Sequence, residues 1–158
     1  MRGGDQESFQ ADGFPAIRFV ESNENFTHQH QDVRVENGVQ FGDLPQYIDA
    51  NYLAQSTQAN IAALAALALG PGQPVKAQLV MKKLGYDVTL RWQAARDASS
   101  YEVVWRATDA AVWQHAKNVG NVLTVTLPLS KDDYVIAVRS VDANGLRSVA
   151  SYPDAVRE

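Results

Sequence analysis

Residues 88–106, VTLRWQAARDASSYEVVWR, decide the fold of the larger part of this chain. Apolar and polar side chains alternate along residues 88–92 and again along residues 101–105. This period of two predicts strands that bury one face and leave the other to solvent. Two more alternating runs follow at 123–127 and 134–138. Short strands at this spacing, separated by turn-forming residues, predict an antiparallel β-sandwich.

The same region resembles a fibronectin type III domain, an all-β immunoglobulin-like sandwich. LRWQ at 90–93 is similar to the strand that carries the buried Trp of that fold, and SYEVVWR at 100–106 is similar to the strand after it. Leu127 and Tyr134 are spaced like the Leu and the corner Tyr of such domains. The resemblance predicts a fibronectin type III-like domain over residues 77–155.

Composition narrows the classes of function. The chain has 158 residues, a formal net charge of −4 and no cysteine. Disulfides and thiolate metal sites are therefore excluded, and the lack of a basic patch argues against a nucleic-acid partner. The longest apolar run, at 61–69, is too short to cross a bilayer, so we expect no transmembrane segment.

A domain boundary is predicted at GPGQPVK, residues 70–76, because two Gly and two Pro fall within seven residues. A long helix is predicted before this linker, from about Ala50 to Leu69, with Asp49 as its N-cap and Gly70 as its stop. The apolar stripe of this helix is broad and Ala-rich, which indicates that it packs on a neighbouring sheet.

The first 69 residues supply few partners for that helix. Residues 5–12 predict a short helix with Asp5 as a possible N-cap. Residues 14–20 read as a strand that is apolar on both faces, which is typical of a covered parallel sheet. The passage at 33–46 reads as irregular. No second buried strand lies nearby, so we expect the rest of that sheet to come from residues outside this chain.

Most of the residues suited to chemistry lie in FVESNENFTHQHQD, residues 19–32. In extended backbone, His28, His30 and Asp32 would point the same way, and His and Asp are both zinc ligands. The other interpretation is a polar loop with two solvated histidines. Spacing alone is a weak signal for a metal site, so the polar loop is the favoured interpretation.

The order of three segments resembles the C-terminal end of a zinc-dependent exopeptidase of the leucyl aminopeptidase and aminopeptidase Y type. The segments are GGDQESF at 3–9, GFPAIRFVE at 13–21 and THQHQD at 27–32. The resemblance implies an α/β fold with a mixed central sheet and two zinc ions. It assigns one zinc ligand to His28, with Asp32 completing the motif, and places His30 at a variable position.

Under this resemblance Asp5 and Gln6 would belong to the wall of the active site. Glu21, at the end of the predicted strand, is expected to support the site by anchoring the His28 loop through hydrogen bonds. Gln6 departs from the family, which usually has His at that position. The other metal ligands and the general-base Glu of the family lie in segments that this chain does not contain. No catalytic residue is therefore assigned here.

The resemblances together predict an α+β chain in two parts: a truncated C-terminal piece of a peptidase domain at 1–69 and the sandwich. The parent would be a secreted or periplasmic aminopeptidase acting on peptides. A zinc ion needs three or four protein ligands, so the isolated chain is expected to be inactive without the missing N-terminal part. The alternative is a non-catalytic binding or spacer protein whose sandwich recognises protein or carbohydrate.

Overall fold

The computed structural model describes residues 3–81 and 87–157. The chain divides into two compact units, Met1–Leu64 and Ala65–Glu158. Within the described residues, no helix is long and apolar enough to cross a membrane.

The second unit is a β-sandwich of seven strands in the described ranges. One sheet has the order β7-β4-β3-β9 and the other has the order β6-β5-β8. The strands are β3 (Val75–Met81), β4 (Val88–Gln93), β5 (Ser100–Ala107), β6 (His115–Gly120), β7 (Thr124–Leu127), β8 (Tyr134–Val141) and β9 (Asp154–Arg157). Neighbouring strands are antiparallel except β3 and β9, which are parallel. The predicted sandwich is therefore confirmed.

The core of this unit follows from the alternation of its strands. Along β4, Val88, Leu90 and Trp92 are buried while Arg91 and Gln93 are exposed. Val103 on β5 lies opposite Val138 on β8, and both side chains are fully buried. Burying a large apolar side chain contributes roughly 1.5–3 kcal/mol, so these strands carry much of the stability of the sandwich.

An ion cluster lies on the face of β5 opposite the one that carries Val103. Glu102 is only 7% exposed, and its Oε2 accepts hydrogen bonds from Arg139 Nε at 2.9 Å and Arg147 Nε at 3.1 Å. Burial raises the pKa of Glu102, but the hydrogen bonds and charges of Arg147 and Arg139 outweigh that effect and lower the pKa below 4.5. The carboxylate therefore stays charged and ties β5 to β8 and to the segment after it.

The predicted linker at 70–76 is attached to the sandwich. Gly72 N donates to Arg96 O at 2.9 Å, and its carbonyl accepts from the hydroxyl of Ser140. Ser151 Oγ donates to Pro74 O at 2.7 Å. Since β3 begins at Val75 and β9 ends at Arg157, the sandwich extends beyond 77–155 at both ends.

The first unit contains short elements and most of a long helix. They are α1 (Gln6–Ala11), the hairpin strands β1 (Arg34–Glu36) and β2 (Val39–Phe41), a 3-10 turn (Pro45–Tyr47) and α2 (Ala50–Leu69), whose last residues belong to the second unit. Asp49 caps α2 as predicted, with Oδ1 accepting from Asn51 N at 2.9 Å and Tyr52 N at 3.1 Å.

Two predictions for this unit are wrong. Residues 14–20 form no strand, because no strand among the described residues pairs with their backbone. Residues 34–41, predicted as irregular, form a hairpin. Asn37 and Gly38 both have positive φ, 52° and 80°, as a tight two-residue hairpin turn requires. The Asn-Gly pair was the sequence signal for that turn.

The first unit buries almost none of its apolar side chains. Among residues 3–64 only Gly42 is buried, and α2 has no buried residue along its length. The exposed apolar side chains of this unit include Phe9, Phe14, Ile17, Phe19, Val20, Phe26, Val33, Val35, Val39, Ile48, Leu53, Ile61 and Leu64. An apolar surface of this extent is typical of an interaction surface.

Candidate functional site

The histidine segment, residues 27–32, is folded into turns. Asn25 O accepts from His28 N at 3.0 Å and from Gln29 N at 3.3 Å. His30 follows in the left-handed region with φ of 55°. Because the backbone reverses here and is not extended, the interpretation in which His28, His30 and Asp32 face one point does not hold, and the segment is a polar loop.

His28 is held by an aromatic neighbour. Its imidazole stacks on the ring of Tyr47, with 3.6 Å between ring centroids and 6° between ring planes. Tyr47 ends the 3-10 turn that Pro45 begins. Stacking on a side chain from a separate turn restricts the rotation of the imidazole, while His28 remains partly accessible.

The β1–β2 hairpin supports the same turn. Gly42, directly after β2, donates its N–H to Thr27 O at 3.0 Å. Gly42 has φ of 102°, and a Cβ at this position would lie 2.7 Å from Val33 Cα. Only Gly fits this close approach of two backbones. The hairpin therefore fixes the position of the residue just before His28.

Arg34 holds the other end of the segment. Its Nη1 donates to Gln31 Oε1 at 3.2 Å and to Asp32 O at 3.4 Å, and its guanidinium lies 4.2 Å from the centroid of the Phe41 ring. Both ends of the histidine segment are thus tied to the hairpin.

A cavity of about 220 Å³ opens beside His28. The residues that line it are all polar or charged types, and they include three with carboxylates and one with an imidazole. The lining residues are Glu21, Asn23, Glu24, Asn25, His28, Gln29 and Asp43. Such a lining, with three acidic side chains, favours a cationic group over an anion.

The structure brings together only some of the predicted site residues. His28 and Glu21 line the cavity. Asp32 is absent from this lining and is exposed. Asp5 lies at the N-cap of α1, where its side chain makes no capping hydrogen bond, and Gln6 is the first residue of that helix.

Sequence reasoning missed Glu24 and Asp43 as lining residues. Glu24 lies inside the segment already singled out, so its carboxylate was a signal that the sequence offered. Asp43 had no signal, because only the hairpin places it beside His28.

The described residues do not make a zinc site by themselves. Within residues 3–81 and 87–157, no group of three or more His, Asp or Glu side chains is placed to hold a metal ion. A structural or catalytic zinc needs at least three protein ligands. His28 alone therefore does not hold a zinc ion.

No model of a known protein family matches this chain. The chain is 46% identical over 155 residues to a probable zinc metalloprotease of Leptosphaeria maculans, covering 97% of this chain and 36% of that protein. A probable zinc metalloprotease of Pyrenophora teres f. teres is 44% identical, with 97% and 32% covered. A third, from Pyricularia oryzae, is 41% identical, with 97% and 32% covered. The chain thus spans about a third of the length of these relatives.

Among solved structures, an Fn3-like protein from Clostridium thermocellum matches with 22% identity and a TM-score of 0.46, covering 56% of this chain and 93% of that one. An FN3 domain of human collagen XX matches with 23% identity and a TM-score of 0.37, covering 49% and 88%.

Proposed function

We propose that this chain is the C-terminal portion of a secreted, zinc-dependent aminopeptidase with an appended fibronectin type III-like domain. The similarity to the zinc metalloproteases carries the proposal, because a match over 97% of the chain includes the His28 segment as well as the sandwich. The finer assignment to the leucyl aminopeptidase and aminopeptidase Y type, with two zinc ions, rests on the motif order described above.

His28 is the proposed zinc ligand. It is the histidine that matches the family motif, it lines the acidic cavity, and its ring is oriented by Tyr47. His30 has none of these features within the described residues and is exposed. The remaining ligands and the general base would come from the rest of the full-length protein.

The uncovered apolar surface of the first unit supports the same proposal. A segment with one buried residue among positions 3–64 has no core of its own. Its apolar side chains are what a peptidase domain would cover with its central sheet. The N-terminal part of that domain is therefore the proposed partner of this unit, and a peptide with a free N-terminus is the proposed substrate.

The test compares two histidines in the full-length protein. Zinc content and hydrolysis of aminoacyl nitroanilides are measured for the wild type, His28→Ala and His30→Ala. We expect His28→Ala to lose one zinc and most of the activity, and His30→Ala to retain both. Loss of zinc in His30→Ala with retention in His28→Ala would reverse the assignment. Full activity of both variants after chelation would exclude the zinc peptidase itself.

A second function, binding of a glycan or protein by the sandwich without catalysis, is favoured by one surface feature. Trp113 and Tyr152 pair with ring centroids 5.8 Å apart, and Arg106 lies 5.6 Å from the Trp113 centroid. Tyr152 is 61% exposed. Aromatic faces beside a cation are common in recognition surfaces. Loss of glycan or protein binding in Trp113→Ala, together with no peptidase activity in the full-length wild-type protein, would support this second function over the first.

A further inference from the structure

A glycosylation motif occurs once in the chain. Asn25, Phe26 and Thr27 form Asn-x-Thr with a middle residue other than Pro, the pattern that N-glycosylation requires. The other Asn residues are not followed two positions later by Ser or Thr. We propose that Asn25 is the acceptor of an N-linked oligosaccharide.

The local geometry fits an acceptor. Asn25 Oδ1 accepts from Thr27 N at 3.0 Å and from Thr27 Oγ1 at 2.7 Å. These two bonds fix the carboxamide in a turn and bring the two defining side chains of the motif together. Within the described ranges, Asn25 Nδ2 donates no hydrogen bond, and the residue is exposed. A sugar on Nδ2 therefore displaces no interaction of the folded chain.

The modification is a group transfer with a balanced outcome. Asn25 Nδ2 forms a bond to the anomeric carbon of the first sugar of a polyprenyl-diphosphate-linked oligosaccharide. The bond from that carbon to the diphosphate oxygen breaks, and the polyprenyl diphosphate leaves with the electron pair. Nδ2 gives up one proton to the host transferase, and nothing is oxidised or reduced.

The inference rests on the proposed secretion of the protein, since donor and transferase belong to the secretory pathway. It also adds a feature to the proposed site. Asn25 lines the cavity beside His28, so the oligosaccharide begins at the edge of that cavity. A glycan here places a bulky hydrophilic group beside the exposed ring of Phe26.

The experiment expresses residues 1–158 behind a cleavable secretion signal in a yeast host. Cell extract and medium are both analysed by peptide mass spectrometry before and after treatment with a peptide N-glycosidase. We expect a glycan at Asn25, which the enzyme removes while converting that residue to Asp. Asn25→Gln and Thr27→Ala should abolish the glycan, and Thr27→Ser should keep it.

A second acceptor provides the internal control. Leu146→Thr completes an Asn-x-Thr motif at Asn144, in an exposed turn of the sandwich. A glycan at Asn144 together with unmodified Asn25 in the same molecule would overturn the proposal. Zinc content of the full-length protein is read separately. If Asn25 is glycosylated but the full-length protein binds no zinc, the proposed zinc-peptidase function is refuted while the acceptor site is established.

Discussion

His28 stacks face to face on Tyr47, with their ring centroids 3.6 Å apart. The two residues come from different turns, separated by the β1–β2 hairpin. The hairpin therefore does more than connect two segments, because it sets the distance between the proposed ligand and the ring that orients it.

Removing this ring should weaken metal binding in the full-length protein. Residues that orient a ligand typically contribute 10–100-fold to metal affinity, so we expect Tyr47→Ala to lower zinc affinity by roughly that factor. Tyr47→Phe keeps the stacking face and should remain near the wild type. Zinc affinity is measured by competition with a chromogenic chelator. Equal affinities of Tyr47→Ala and Tyr47→Phe would show that stacking plays no part.

The isolated chain should have no peptidase activity, even with excess zinc. No group of three or more candidate ligands among the described residues is placed to hold a metal ion, and zinc-assisted hydrolysis needs a bound zinc and an activated water. The assay uses aminoacyl nitroanilides. Turnover that a chelator and His28→Ala both abolish would contradict the fragment assignment.

The two halves should differ in independent stability. We expect residues 70–158 to unfold cooperatively in urea, because their strands enclose a core. Residues 1–69 should be aggregated or molten, since only Gly42 is buried among the described residues of the first unit. Proton NMR of the two fragments checks this. Dispersed amide signals from residues 1–69 alone would establish a complete small domain.

Truncation of the central core aromatic should destabilise the sandwich strongly. Trp92 is 3% exposed and lies 5.4 Å from Tyr101 between ring centroids. Trp92→Ala should lower the free energy of unfolding by about 3–5 kcal/mol. Trp113→Ala, at a partly exposed position, is the control and should cost much less. Urea unfolding followed by circular dichroism measures both, and equal losses would mean that the core lies elsewhere.

The Glu102 ion cluster should make stability depend on pH. The pKa of Glu102 in the folded state lies below its unfolded value. The stabilisation that Glu102 provides is therefore complete above about pH 4.5 and declines as the pH falls through the folded-state pKa. Glu102→Gln should lower the free energy of unfolding by about 1–3 kcal/mol at pH 7 and should reduce the further loss of stability at acidic pH. Glu36→Gln removes an exposed pair with Arg34 and should change stability by less than about 1 kcal/mol. If Glu102→Gln and the wild type lose the same stability as the pH falls, the ion cluster is not the cause of that loss.

The sequence by itself determined the sandwich and the long helix. Alternation at Val88, Leu90 and Trp92 selects one inward face, and Asp49 with Gly70 limits the helix at the positions observed. These are local signals, because the period of a strand or helix and the chemistry of a cap act over a few residues.

Only the tertiary structure decided the site. A spacing of two residues suggested that His28 and His30 act together, but a turn stabilised by Asn25 separates them. Asp43 reaches the His28 cavity only because the hairpin returns the chain to it, with Gly42 packed on the backbone of Val33. Residues 14–20 carried the pattern of a buried strand, yet a strand forms only where a neighbour pairs with its backbone. Side-chain periodicity records which face is apolar, whereas the partner that covers that face depends on contacts distant in sequence.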